Sequence, residues 1–374
     1  MSRGAPELLL RRAWEQGGPV WLCAGLSALA AGYRLSLMAR DAAYRTGLLR
    51  AGRLPVPVIS VGNLTVGGSG KTPTVELAVR TLRELGAVPA VVSGGYGRQV
   101  AGVHVVADRE GVKRGPRESG DEPYLLARRL PGTSVVVGES RYEAARLAVE
   151  GTGATAVVID DGFQHRTLAK DVEIVVVNGR RPWGNGRLFP RGSLREPPGA
   201  LRKADLIVVT NPTGLAAVAE VEEALRRHRA HAPVVSATYR VADVWEVSEG
   251  VRTAPADLAG RRVMAMAGLA APQGFVETAR ALGAEVMGLV EFPDHHWYES
   301  ADLAAATARA REAGAEGLVT TEKDWVRLQG LPQMGIPLWV VPIVMEITSN
   351  EPAWRAVLRD ALAAPRPEAR ARRP

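Results

Sequence analysis

The chain has 374 residues, a length that suits two modest domains better than one. With 46% hydrophobic and 23% charged residues a packed core is expected, and with only 5% aromatics that core must rest on Val, Leu, Ile and Ala. The lone cysteine, Cys23, excludes an intrachain disulfide and a Cys-based zinc site, while 47 basic against 40 acidic residues (net +7) suit an anionic partner: a phosphate, an acidic lipid surface or a nucleic acid. Much of that excess is also what an Arg- and Ala-favouring, GC-rich genome produces.

Residues 1–50 form a segment of their own. Pro19 to Met38 is almost wholly apolar, interrupted mainly by Arg34 and flanked by Arg11, Arg12, Arg40 and Arg45. A spanning helix needs about 20 apolar residues, so this one is borderline. A secretory signal fits poorly, because the apolar run starts late and a nucleotide-binding pattern follows directly. The expectation is a helix lying in or dipping into a membrane surface, with Trp14, Trp21 and Tyr33 as interfacial anchors. The alternative is a helix packed on its own domain.

Residues 51–233 alternate short β-branched runs with helical stretches. Strands are expected at Pro57 to Val61, Ala90 to Val92, Ser134 to Val137, Ala156 to Asp160, Glu173 to Val177 and Leu206 to Thr210. Helices are expected at Thr72 to Leu85, Glu139 to Glu150 and Leu215 to Arg229. Apolar strands without alternation, separated by helices, indicate an α/β fold with a mostly parallel sheet covered on both faces. Residues 234–250 read as a β-stranded connector, and 251–363 as a second, smaller α/β domain with a closing helix from Trp354 to Ala363. The Pro- and Arg-rich residues 364–374 read as a disordered tail. Gly102 to Gly120 and Asn178 to Lys203 are long loops of the kind that are functional or disordered.

The first strand runs into Gly62-Asn63-Leu64-Thr65-Val66-Gly67-Gly68-Ser69-Gly70-Lys71-Thr72 and then a helix, the context of a phosphate loop. Glycines let successive N–H groups face phosphate oxygens, Lys71 can reach the β- and γ-phosphates, and the Thr72 hydroxyl can ligate Mg²⁺. Pro73 suits a first helical turn, whose N-terminus favours an anion. The first glycine of the usual pattern is Thr65 here. Val157-Val158-Ile159-Asp160-Asp161 is an apolar strand ending in carboxylates, as in a metal-positioning Walker B strand.

Two further segments carry acid–base groups. Ser119-Gly120-Asp121-Glu122-Pro123 opens a helix, where the carboxylates are either caps or functional groups. Phe292-Pro293-Asp294-His295-His296 closes a strand of the second domain. A kinase acting on a sugar hydroxyl needs a base beside it, and a carboxylate oriented by His suits that task. A two-His zinc site lacks enough evident ligands. Arg181, Arg187, Arg191 and Arg195 can hold a substrate phosphate or form a solvated basic loop.

Together these segments resemble the tetraacyldisaccharide 4'-kinase family. The likeness rests on residues 60–73, Gly95-Tyr96-Gly97-Arg98, Gly120-Asp121-Glu122-Pro123, Asp160-Asp161-Gly162-Phe163-Gln164-His165, Leu194-Arg195-Glu196-Pro197, Phe292-Pro293-Asp294-His295-His296 and Thr321-Glu322-Lys323-Asp324. Thr65 is itself the family's habit. The resemblance implies two α/β domains and ATP-dependent phosphorylation of the 4'-hydroxyl of the tetraacyldisaccharide 1-phosphate precursor of lipid A. ATP would lie on Thr65, Val66, Gly67, Gly68, Ser69, Gly70, Lys71 and Thr72. Asp121 would be the base, supported by His295; Glu122 and Asp160 would place Mg²⁺ with Thr72, supported by Asp161. The amino-terminal helix would hold the enzyme at the cytoplasmic face of the inner membrane, where its acylated substrate resides. One departure is visible: Gly94 stands where the family usually has Arg. A kinase or ATPase of a soluble metabolite is a rival reading, against which the apolar segment argues. A nucleic-acid-binding switch is another, but the basic residues lack interleaved aromatics, so no nucleic-acid partner is expected.

Overall fold

A computed structural model describes residue 14 and residues 17–212, 214–228, 230–332 and 335–364. Arg11, Arg12 and all of the expected tail except Ala364 lie outside the described residues. The chain enters as helix α1 (Val20–Arg45) and passes through β1 (Val58–Asn63), α2 (Lys71–Glu84) and β2 (Pro89–Ser93). A hairpin, β3 (His104–Asp108) and β4 (Gly111–Val112), leads to α3 (Pro116–Ser119) and α4 (Asp121–Arg129). Then come β5 (Ser134–Val137), α5 (Arg141–Thr152), β6 (Ala156–Asp160), β7 (Val172–Asn178), β8 (Leu206–Thr210), α6 (Leu215–Arg227) and β9 (Val234–Val241).

These strands form most of a ten-stranded sheet in the order β16-β9-β8-β7-β1-β6-β2-β5-β3-β4, parallel from β9 to β5. Its central strands are buried along their whole length, which is why they read as unbroken apolar runs. The smaller sheet comprises β10 (Val244–Glu246), β11 (Val251–Thr253), β12 (Arg262–Ala267), β13 (Glu285–Glu291), β14 (Gly317–Thr321) and β15 (Leu338–Val341). Helices α7 (Pro272–Ala281), α8 (Ser300–Glu312) and α9 (Glu322–Leu328) alternate with its parallel strands. The chain then returns to the first sheet as β16 (Ile343–Ser349) and ends in α10 (Glu351–Ala363).

Three expectations change. The segment from 234 does not leave the first sheet at once: β9 pairs parallel with β8 and antiparallel with β16. Its partly exposed side chains give the polar alternation that reads, in sequence, as an extended connector. Its partner β16 lies more than a hundred residues further on. The closing helix belongs to the first core, because Trp354 packs with Val79 and Leu82 there and its Nε1 donates to Thr81 Oγ1 at 2.9 Å. The loop 102–120 holds the β3–β4 hairpin at an antiparallel edge, too short to show a period.

The placement of α4 matters most for function. Leu126, Ala127 and Leu130 enter the first core, while Tyr124 and Leu125 enter the second. Both domains therefore fix the start of this helix, where Asp121 sits. If the carboxy-terminal helix is part of the first core, Trp354→Ala will lower stability in urea by about 3–5 kcal/mol. A loss below about 1 kcal/mol would place the helix outside that core.

Candidate active site

Strand β1 ends at Asn63, whose buried amide organises the loop that follows. Asn63 Nδ2 donates to Thr65 O at 2.7 Å and to Ser69 Oγ at 2.8 Å, and Asn63 Oδ1 accepts from Lys71 Nζ at 3.2 Å. Gly67 and Gly70 hold φ of +111° and +92°, in the left-handed region that glycine occupies without strain. A side chain at 70 would also collide with the Tyr239 hydroxyl. Thr210 Oγ1 donates to Ser69 O at 3.0 Å, and Val66 N to Ser193 O at 2.7 Å. Thr65 bridges Leu194, so the long loop 178–203 folds onto the phosphate loop. Thr72 stands in the first turn of α2.

Strand β6 lies beside β1, with Asp160 level with Val61, so its carboxylates end next to Lys71. Asp160 is buried; Oδ2 accepts from Ser93 Oγ at 3.1 Å, and Oδ1 has no hydrogen-bond partner among the described residues. Burial pushes its carboxyl up to about 7, and the negative charges of Glu122 and Asp161 push the same way against Lys71 and Ser93. Asp161 takes φ +51° and meets Arg195 Nη1 at 2.8 Å and Lys71 Nζ at 3.4 Å. Burial raises it, but those two cations more than offset burial and hold it below the ordinary carboxylate range.

From the other side of the cleft, His295 (φ +59°) brings Nδ1 to 2.8 Å from Asp121 Oδ2. Asp121 Oδ1 accepts from the Glu122 N–H at 2.9 Å, and Arg327 Nε lies 3.6 Å from Oδ2. Burial would raise the Asp121 carboxyl; the His295 hydrogen bond and the charges of Lys323 and Arg327 reverse this and hold it at about 2. Lys323 Nζ donates to Glu122 Oε1 at 3.0 Å and lies 3.4 Å from His295 Nε2. Asp324, fully buried, accepts from Tyr298 Oη at 2.7 Å, the Gly268 N–H at 2.9 Å and Arg327 Nη2 at 2.6 Å. The second domain thus builds a rigid polar base under the dyad.

The paired histidines diverge: His296 Nε2 turns to Asp302 Oδ2 at 2.8 Å and stacks on Phe292. Among the described residues no group of three His, Cys, Asp or Glu is arranged to hold a metal alone. Mg²⁺ does not need one, because it keeps waters and binds through one or two carboxylates plus substrate phosphates. The buried, unpaired Asp160 Oδ1, with Glu122 and Asp161 adding negative field, fits such a cation.

Several groups carry no strong sequence signal. Lys323 and Arg327 follow a strand end, and nothing in their spacing announces the dyad they support. Gly94 is explained by Arg141 of α5, whose guanidinium fills the space where a side chain at 94 would go. Arg141 is buried, donates to Gly138 O at 2.7 Å and faces His165 Nε2 at 3.4 Å; burial lowers its pKa, and Asp160 and Asp161 only partly oppose this. Of the expected membrane anchors, Trp21 is exposed, but Trp14 donates to Pro190 O at 2.9 Å and Tyr33 to Arg195 O at 2.9 Å.

A glycine-rich loop between strand and helix, carboxylates at the end of the neighbouring strand, and an Asp–His pair that joins the first domain to the second make up a phosphate-loop phosphotransferase. Residues 22–363 match the family described as tetraacyldisaccharide-1-P 4'-kinase, and the chain belongs to that family of kinases. It is 41% identical over 353 residues to a tetraacyldisaccharide 4'-kinase of Syntrophus aciditrophicus, covering 90% of this chain and 94% of the relative. It is 46% identical over 322 residues to one from Anaeromyxobacter dehalogenans, covering 84% of each. Its fold is similar to the crystal structure of the "apo" form of LpxK from Aquifex aeolicus in complex with ATP, at a TM-score of 0.72 and 29% identity, covering 91% of this chain and 99% of that one.

The raised Asp160 carboxyl predicts a pH effect. In the nucleotide-free protein its ionisation penalty is absent below the ordinary carboxylate value, grows as pH rises and is complete above about 7. Asp160→Asn removes that penalty, so it will raise Tm at pH 8 by several degrees, and the gain will narrow toward pH 5. A gain that is absent at pH 8, or that widens on acidification, would contradict the assignment.

Proposed function

We propose that the chain transfers the γ-phosphoryl group of ATP to the 4'-hydroxyl of the tetraacyldisaccharide 1-phosphate precursor of lipid A, with the Asp121–His295 pair as proton acceptor. The observation that carries this reading is the 2.8 Å bond between Asp121 and His295, which joins the two domains beside the carboxylates facing the phosphate loop. N–H groups of residues 67–72 and the Lys71 ammonium would face the phosphate oxygens, and Thr72, Glu122 and Asp160 would hold Mg²⁺. When bound, Mg²⁺ neutralises charge on the β- and γ-phosphate oxygens. Asp161, paired with Lys71 and Arg195, would support the metal site beside them.

In the transfer a bond forms between the 4'-oxygen and the γ-phosphorus as the bond from that phosphorus to the bridging oxygen breaks. The hydroxyl proton passes to the Asp121–His295 pair, and ADP leaves. A carboxylate held as low as Asp121 is a weak base alone; its 2.8 Å hydrogen bond to His295, the more exposed partner, offers the proton a second acceptor. Positioning and electrostatics carry most of such a reaction.

The acyl chains call for a lipid surface. Val20, Trp21, Leu29, Leu35 and Met38 of α1 are exposed, as are Arg34 and Arg45, which suit anionic headgroups. The helix is long and apolar enough to cross a membrane. Its bonds to the protein body at Tyr33 and Arg40 favour a helix lying along the surface instead, on the cytoplasmic side where ATP is supplied. The dispersed arginines, with no aromatics set between them, argue against a nucleic-acid partner.

With radiolabelled ATP and the acylated disaccharide 1-phosphate in detergent micelles, Asp121→Ala will lower kcat by about 10²–10⁴-fold, with KM for ATP little changed. An unchanged kcat would remove Asp121 from the proton-accepting role.

A further inference from the structure

The membrane-facing helix also touches the catalytic machinery, through its other face. Tyr33 Oη donates to the Arg195 carbonyl at 2.9 Å, and the Tyr33 ring meets Phe189 edge-on. Arg40 Nη2 donates to Glu196 Oε1 at 3.0 Å and Arg40 Nη1 to the Gln164 carbonyl at 3.3 Å. Lys203 Nζ bridges Glu196 Oε2 at 3.1 Å and Asp41 Oδ2 at 3.3 Å, and Arg166 Nη2 reaches Asp41 Oδ1 at 3.0 Å.

Two routes lead inward from these contacts, and both end on Lys71. In the first, Arg195, held at its carbonyl by Tyr33 and flanked by Glu196, grips both oxygens of Asp161, which in turn meets Lys71. In the second, Gln164, whose carbonyl Arg40 binds, sends Nε2 to Asn63 O at 2.8 Å, and Asn63 Oδ1 accepts from Lys71. Glu196 is only 3% exposed, and Arg40 and Lys203 are its ion-pair partners. A buried carboxylate that loses one partner will move or draw in another group rather than stay in place.

We propose that Tyr33 and Arg40 are positioning residues for phosphoryl transfer, so that docking of α1 on the protein body and assembly of the site around Lys71 are one event. The helix then both holds the enzyme to the lipid surface and sets the Arg195–Glu196 strip beside Asp161. The exposed apolar face of α1 would bring acyl chains to the side of the protein where Arg195 stands. This proposal rests on the reading of Lys71 and Asp161 as nucleotide-side groups. It adds that the amino-terminal helix controls their geometry from outside the nucleotide-binding elements.

The test uses the full chain on phospholipid vesicles carrying the acylated disaccharide 1-phosphate, with Arg40→Ala, Arg40→Lys and Tyr33→Phe. Misplacement on the ångström scale costs about 10²-fold in rate, so Arg40→Ala should lower kcat by about 10–100-fold. Its vesicle-bound fraction should stay that of wild type, and Arg40→Lys should recover part of the loss. A kcat equal to wild type, or a fall that matches the loss of vesicle binding, would make α1 an anchor only and overturn the proposal. If wild type itself labels no lipid, the substrate reading has failed, and hydrogen exchange over residues 188–197 decides the helix proposal instead. Faster exchange there in Arg40→Ala and Tyr33→Phe supports the coupling, and unchanged exchange overturns it.

Discussion

The hydrogen bond from His295 to Asp121 is the constraint around which the rest of the molecule is arranged. It joins a helix start in the first domain to a strand end in the second, and neither domain alone holds both atoms. Burying the Asp121 carboxylate is costly unless it is paired. The second domain supplies that pairing with His295, Lys323 and Arg327, the last held by Asp324, which also accepts from Tyr298. Helix α4, packed into both cores, transmits the same requirement to the hydrophobic interior.

The nucleotide side shows the complementary arrangement. Asp121 carries more cationic field than it needs, whereas Asp160 carries too little and is left with a bare buried oxygen. As proposed, a divalent cation would answer that bare oxygen, with the remaining ligands coming from nucleotide oxygens held at the neighbouring phosphate loop. The long loop 178–203 contributes Arg195, which pairs with Asp161, and α1 bonds to that loop through Tyr33.

Much of this was legible in the sequence because it is local. A strand, a glycine-rich turn and a helix must be contiguous to cradle phosphate, so residues 57–85 announce themselves, as does the apolar strand ending in Asp160 and Asp161. The parallel sheet was legible for a related reason: strands buried on both faces cannot alternate. What stayed hidden depends on contacts between distant segments. Strand β9 reads as a connector until β16 pairs with it, and the closing helix appears to belong to the nearer domain until Trp354 finds Thr81. Gly94 reads as a loss until Arg141, on another helix, is seen filling its space. Trp14 and Tyr33 look like membrane anchors because an interfacial aromatic and one packed on a loop are the same residue in sequence.

As proposed, Asp121 and His295 act as one proton-accepting unit across the cleft. The most direct test is a double-mutant cycle: kcat for lipid phosphorylation in wild type, Asp121→Ala, His295→Ala and the double variant, with folding verified for each. Groups that act as a unit give strongly non-additive losses. The account predicts that the double variant is about as slow as the slower single variant. Losses that multiply would mean two independent groups, and the bond between the domains would then be structural rather than catalytic.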